Sequence, residues 1–174
     1  MNDLGLTTYP APLGGATLSM TAVASAVLLG VGVLQIVLGL NRTGPQRNVL
    51  LVVGSILIVL LFASVLLRIR GYEVTADSIR IRYGFSGSEV ALSEITEVSR
   101  DRQALSGSTR SAANGGLWSF LGEYTSPTLG DLHVYVSDPS RLVLLKLKKG
   151  AVVVSPDDPE RFVQEVRSRK GVAR

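Results

Sequence analysis

ATLSMTAVASAVLLGVGVLQIVLGL, residues 16–40, and VLLVVGSILIVLLFASVLL, residues 49–67, contain no charged side chain. At about 1.5 Å per helical residue, either run reaches across a hydrocarbon core of roughly 30 Å. Neither has the polar face that a helix on the surface of a water-soluble domain keeps. In lipid, a helix satisfies every backbone N–H and C=O within its own segment, so both runs are expected to be helices rather than strands. The polar turn Asn41-Arg42-Thr43-Gly44-Pro45-Gln46-Arg47-Asn48 joins them, and the pair is expected to form an antiparallel hairpin.

From Arg68 onward the chain is polar enough to fold in water. That part holds sixteen Lys and Arg against thirteen Asp and Glu, a net charge of +3. Such a mild excess suits a position near anionic headgroups, but it lacks the concentrated basic face of a nucleic-acid binder. The chain has no cysteine, which excludes disulfides, thiolate metal sites and cysteine nucleophiles.

Residues 1–15 carry Pro10, Pro12 and the Gly14-Gly15 pair, with Asp3 as the one charged side chain. They lack the basic start and short apolar core of a secretory leader and read as an N-terminal tail. In the first helix Ala22, Ala26 and Gly30 recur every fourth residue, so they share a face that permits close helix packing. The expected partner is the second helix, with Gly54 in the complement. A homodimer contact is the alternative, and Gln35 is placed to bond across the pair. The turn carries Arg42 and Arg47, whereas Arg68, Arg70, Arg80 and Arg82 follow the second helix. By the positive-inside bias this predicts a two-pass protein of the cell membrane with its C-terminal domain in the cytoplasm.

After Gly71 the periodicity changes to two. Tyr72–Thr75 and Ile79–Tyr83 read as strands around the turn Ala76-Asp77-Ser78, and Gly84–Ser88 as a second turn. Glu89–Leu92 and Ile95–Val98 are further strands. Residues 100–116, rich in Ser, Gly, Arg and Asn, read as a long mobile loop. Leu117–Phe120 restores apolar character, and Asp131–Ser137, Leu142–Lys148 and Ala151–Val154 complete about seven strands. Asp158 is an N-cap, Pro159 fits the first helical position and Glu160 suits the dipole of a closing helix. Phe162, Val163 and Val166 give that helix its buried face. Arg167, Arg169 and Lys170 suit its C-terminal dipole, with a lipid-binding patch as the lesser reading.

The stretch Val153-Val154-Ser155-Pro156-Asp157-Asp158-Pro159-Glu160-Arg161-Phe162, a last strand running into a helix start, resembles the bacterial pleckstrin-homology-like (PH-like) domain family. Tyr72-Glu73-Val74, Ile79-Arg80-Ile81, Leu92-Ser93-Glu94-Ile95, Gly116-Leu117-Trp118 and Gly130-Asp131-Leu132-His133-Val134-Tyr135 add to the resemblance, which covers about Arg68 to Ser168. It implies a curved sheet or partly open barrel capped by a C-terminal helix, and a binding or assembly role. It also implies that members commonly follow transmembrane helices. Lipid-binding relatives carry Lys or Arg in the first strand-to-strand loop. Here that loop is Thr75-Ala76-Asp77-Ser78, with an acid and no base, so no lipid site is assigned.

No residue pattern points to catalysis. His133 is the only histidine and alternates to a sheet face opposite Leu132, Val134 and Val136, so it reads as a surface residue rather than a metal ligand. No Gly-x-Ser-x-Gly elbow is present, and Gly84–Gly87 lacks the Lys-Ser/Thr of a phosphate loop. Asp157 and Asp158 are better explained by capping than by acid–base work. Trp118 and Phe120 read first as packing residues and second as an aromatic pair touching membrane or partner, with Arg100, Arg102 and Arg110 beside them. No catalytic, cofactor or metal site is assigned. The organisation expected is a tail over 1–15, a transmembrane hairpin over 16–67 and a PH-like domain over 68–174. Its expected role is non-catalytic interaction at the bilayer with a protein partner. An accessory subunit of a membrane transporter or membrane enzyme is the alternative.

Overall fold

The computed structural model describes residues 6–115 and 117–172. Gly15–Leu40 and Pro45–Ser64 form helices α1 and α2, both long and apolar enough to cross a membrane. Helix α2 begins before the apolar run because Gly44, at φ 77°, turns the chain and Pro45 takes the first helical position with its φ preset. The run's last three residues, Val65–Leu67, tighten into a 3-10 turn rather than continuing the α-helix.

Buried positions fall on one face of each helix: Thr17, Thr21, Gly32 and Gly39 on α1, and Gly54, Leu61 and Ser64 on α2. Gly32 and Gly54 set the crossing. A Cβ on Gly54 would lie 2.7 Å from the Gly32 carbonyl oxygen, so the two backbones touch as they do where small residues mediate packing. The expected stripe is not the one used. Ala22, Ala26 and Gly30 are exposed, and nothing lies within 4 Å of a Cβ placed on Gly30. The two residue steps from Gly30 to Gly32 rotate the helix by about 200°, which turns the stripe away from α2. Gln35 is half-buried on the Gly32 face.

The sheets contain more strands than the sequence suggests. Thr7–Pro10 forms β1, before the helices. After them come β2 (Ile69–Val74), β3 (Ser78–Tyr83), β4 (Ser86–Ala91), β5 (Ile95–Arg100), β6 (Thr109–Gly115), β7 (Phe120–Ser126), β8 (Gly130–Val136), β9 (Val143–Leu147) and β10 (Ala151–Val154). Helix α3 spans Pro159–Val172. One sheet has the order β1-β2-β3-β4 and the other β5-β9-β10-β8-β7-β6. The β8–β10 pair is parallel and the other described pairs are antiparallel. Thus the fold is a mainly-β domain closed by a C-terminal helix, following two apolar helices.

Strand β1 lies in the segment that reads as a tail. Thr7 pairs with Val74 and Pro10 with Gly71, and as an edge strand β1 tolerates its proline. Tyr9 is buried edge-on against the Phe162 ring, with centroids 5.1 Å apart. The chain therefore enters the hairpin from the same sheet to which it returns.

Two cores sandwich the six-stranded sheet. Tyr72, Ile81, Leu145, Val152, Phe162 and Val166 join both sheets to α3. On the other face Leu132, Val134, Val136 and Val153 pack beneath Ala104, Phe120 and Tyr124. The stretch 100–116, whose last residue lies outside the described residues, is accordingly not one long loop: residues 101–115 form a turn that buries Ala104 and then strand β6. The closing helix begins as expected, the Asp158 carboxylate accepting the Arg161 N–H at 3.0 Å.

Candidate functional site

Two features emerge where the module meets the helices. The first is a seat built on Trp118. Its backbone N–H donates to Thr21 Oγ1 of α1 at 3.0 Å, and its indole Nε1–H donates to Ser64 Oγ of α2 at 3.1 Å. Ser64 in turn donates to the Leu61 carbonyl at 2.6 Å. Trp118 sits at φ 70°, a left-handed conformation that costs a non-glycine residue energy and persists where surroundings enforce it. Here one residue bridges both helices and leads into β7. Beside it the Gly14 N–H donates to the Ser137 carbonyl at 3.1 Å. A Cβ on Gly14 would lie 2.5 Å from Asp138 Oδ1, so glycine lets the start of α1 press against the β8–β9 turn.

The second feature is a cleft of about 620 Å³ between that turn and the start of α3, lined by Arg100, Arg102, Arg141, Asp157, Asp158 and Glu160 among others. Arg100 pairs with Glu160. Arg141 pairs through Nε with Asp138 Oδ2 at 3.3 Å and donates to the Asp157 carbonyl. Asp138 is held by the Ser140 N–H at 2.9 Å and hydroxyl at 2.7 Å. The Asp157 N–H reaches the Pro10 carbonyl at 3.0 Å, while its Oδ1 is buried without a hydrogen-bond partner. Arg102 is exposed. The lining thus offers balanced charge and hydrogen-bonding groups of both kinds, chemistry suited to a polar protein segment rather than a bare anion.

Beneath the cleft, Tyr72 anchors a buried polar cluster. Its hydroxyl donates to the Tyr135 carbonyl at 2.7 Å and accepts the Ser155 N–H at 3.1 Å. Ser155 Oγ accepts the N–H groups of Ser137 and Asp138 at 2.9 and 3.2 Å. Burial pushes the Tyr72 phenol up to about 12, so it stays neutral and keeps its proton for donation.

The residues weighed from sequence lie apart. His133 is exposed on β8. Phe120 packs on the second core as the packing reading has it, whereas Trp118 belongs to the seat. Arg110 lies in β6. At the end of α3, Arg167 donates to the Val98 carbonyl at 2.7 Å. Arg169 pairs with Glu165 at 2.6 Å and donates to Thr7 Oγ1 at 3.0 Å, and Lys170 donates to the Thr96 carbonyl. These cations fasten the helix to β5 and β1. Among the described residues no group of three or more His, Cys, Asp or Glu is arranged to hold a metal. Thr21 and Ser64 were missed as seat residues; their one legible signal is a hydroxyl near one end of each apolar run.

This mainly-β architecture with its capping helix is the one a PH-like domain is expected to have. The chain belongs to the bacterial PH domain family, whose model matches residues 70–170. Comparisons with curated proteins and with solved structures gave no significant match.

Proposed function

We propose that the protein is a membrane-anchored, non-catalytic interaction module whose PH-like domain is seated rigidly on a two-pass hairpin. The observation that carries this reading is the double attachment. Strand β1 ahead of α1 pairs with β2 behind α2, and Trp118 bonds to both helices. A flexible tether would let the domain roam, but this seat holds one face at a fixed height and orientation over the bilayer. The polar cleft beside the start of α1 is then the surface offered to a protein partner at the membrane. Proximity raises the partner's effective concentration, so a modest interface suffices. The arginines following α2 favour a cytoplasmic domain in a cell-membrane protein.

The test is photocrosslinking of the full chain in native membranes, with a photoreactive residue replacing Arg102. A discrete protein adduct that Arg141→Glu abolishes supports the module reading. A full-length chain that forms no adduct at Arg102 contradicts the cleft as the contact surface. A single stoichiometric membrane complex that survives extraction and resists Arg141→Glu favours the accessory-subunit alternative.

A further inference from the structure

Among the described residues beyond Leu67, Phe85 is the one exposed large hydrophobic side chain, at 88% exposure. It occupies the two-residue turn Gly84-Phe85 between β3 and β4, where Tyr83 pairs with Ser86. Gly84, at φ 55°, gives this turn the left-handed conformation that glycine adopts without penalty. The turn is also fixed in position. The Gly84 N–H donates to the Arg68 carbonyl at 3.3 Å, and a Cβ on Gly84 would lie 2.4 Å from the Leu66 carbonyl oxygen. Behind the turn, the Tyr83 ring stacks on Tyr135 with centroids 5.7 Å apart. Phe85 therefore projects from a rigid tip held against the 3-10 turn that leaves α2.

The height of that tip follows from residue rises. From Val49 to Ser64 the α-helix advances about 24 Å, and the 3-10 turn adds about 6 Å. A hydrocarbon core of roughly 30 Å thus ends near Leu66 and Leu67. Counting the same distance back along α1 from Leu40 ends near Thr21. The two counts end at one level to within about 6 Å, and Trp118 joins the helices there by bonding to both Thr21 and Ser64. The Gly84–Arg68 hydrogen bond sets Phe85 at this level, with Arg68 exposed beside the turn, in the pairing of aromatic ring and cation that suits a lipid interface.

We infer that Phe85 inserts into the interface of the bilayer that the hairpin crosses, so that the module rests on lipid through the β3–β4 turn. This rests on the membrane-spanning reading above. The occupant is lipid because the tip is continuous with the apolar surface that α2 extends into its 3-10 turn at Val65 and Leu66, which are 43% and 41% exposed.

Because the chain has no cysteine, single sites can be spin-labelled in the full protein. Phe85→Cys, Val27→Cys in the middle of α1 and Ser140→Cys beside the cleft would each be reconstituted into phosphatidylcholine–phosphatidylglycerol vesicles. Collision with oxygen, which concentrates in lipid, is compared with collision with a water-soluble nickel chelate. The expected result is a several-fold higher oxygen-to-nickel ratio at 85 than at 140, approaching that at 27. A ratio at 85 equal to that at 140, with 27 still lipid-like, overturns the inference and leaves the hairpin reading intact. Protection of 85 from both reagents assigns Phe85 to a protein contact and also overturns it. A water-like ratio at 27 removes the membrane reading itself.

Discussion

The hairpin and the β module put their aliphatic side chains in opposite places. In the module Ile79, Ile81, Val134, Val152 and Val154 are nearly inaccessible, whereas Arg80, Arg82 and Glu89, on the same strands as the two isoleucines or beside them, face water. In the helices every buried position but Leu61 holds a small residue, Thr17, Thr21, Gly32, Gly39, Gly54 and Ser64, while Val23, Val27, Val59 and Phe62 are 58–68% exposed. Water drives large apolar groups inward. That force vanishes between helices in lipid, where close backbone approach decides packing instead. Exposed valines along two helices would form a patch far larger than soluble monomers tolerate. On the proposed membrane-spanning reading one chain follows two packing rules, and the seat at Trp118 is where they meet.

The sharpest way to break this comparison is to put the same charge on both surfaces. Val27→Arg should cost about 3 kcal/mol of membrane insertion, read as the inserted fraction in a translocation assay. His133→Arg, exposed on β8, should change module stability by less than about 0.5 kcal/mol. Equal costs would mean that the two surfaces face one solvent.

A comparable effect is expected in the module alone, at high pH. The Tyr72 phenol titrates near 12 when folded rather than at its ordinary 10.0. Its neutral form is favoured by folding, so its contribution is complete below pH 10 and is lost as pH rises toward 12. Two units correspond to about 3 kcal/mol. Urea unfolding followed by near-ultraviolet circular dichroism should show this fall. Tyr72→Phe, already weaker through the unpaired Ser155 N–H and Tyr135 carbonyl, should lose the larger part of the alkaline drop, with Tyr9, also raised by burial, keeping the rest.

Packing between the helices gives the next test. Gly54→Leu must push α2 away from the Gly32 carbonyl and should cost about 2 kcal/mol of hairpin stability, measured by unfolding in micelles. Gly30→Ala, with open space around it, should cost nothing measurable. The smallest effect expected is about 1 kcal/mol on thermal unfolding of the module from Asp158→Ala, which removes the acceptor for the Arg161 N–H.

What could be read from the sequence was local. The helices announce themselves through unbroken apolarity, and the Asp158-Pro159-Glu160 start needs only adjacent residues. The alternation of Leu132, Val134 and Val136 likewise fixes their common face. Strand β1 was illegible because four residues ending in proline gain strand character only from β2, across the whole hairpin. Strands β6 and β7 carry little alternation, since Thr109–Gly115 is mostly small or polar and Gly122 interrupts Phe120–Ser126. The first half of β4 reads as a turn because Gly87 and two serines carry weak strand propensity. The stripe at Ala22, Ala26 and Gly30 shows the remaining limit: spacing tells which residues share a face, but not which face the partner takes. The cleft was legible only in part, because its lining joins Arg100 to Arg141 and Asp157 through tertiary contacts alone.

The most direct measurement of the account is the sidedness of two single cysteines in sealed membrane vesicles. Thr43→Cys lies in the turn between α1 and α2, and Ser140→Cys lies on the module. A membrane-impermeant maleimide should label each from one side only, and the two from opposite sides, with Ser140→Cys on the cytoplasmic side. Labelling of both from the same side would show that the hairpin does not cross the bilayer and would contradict the account.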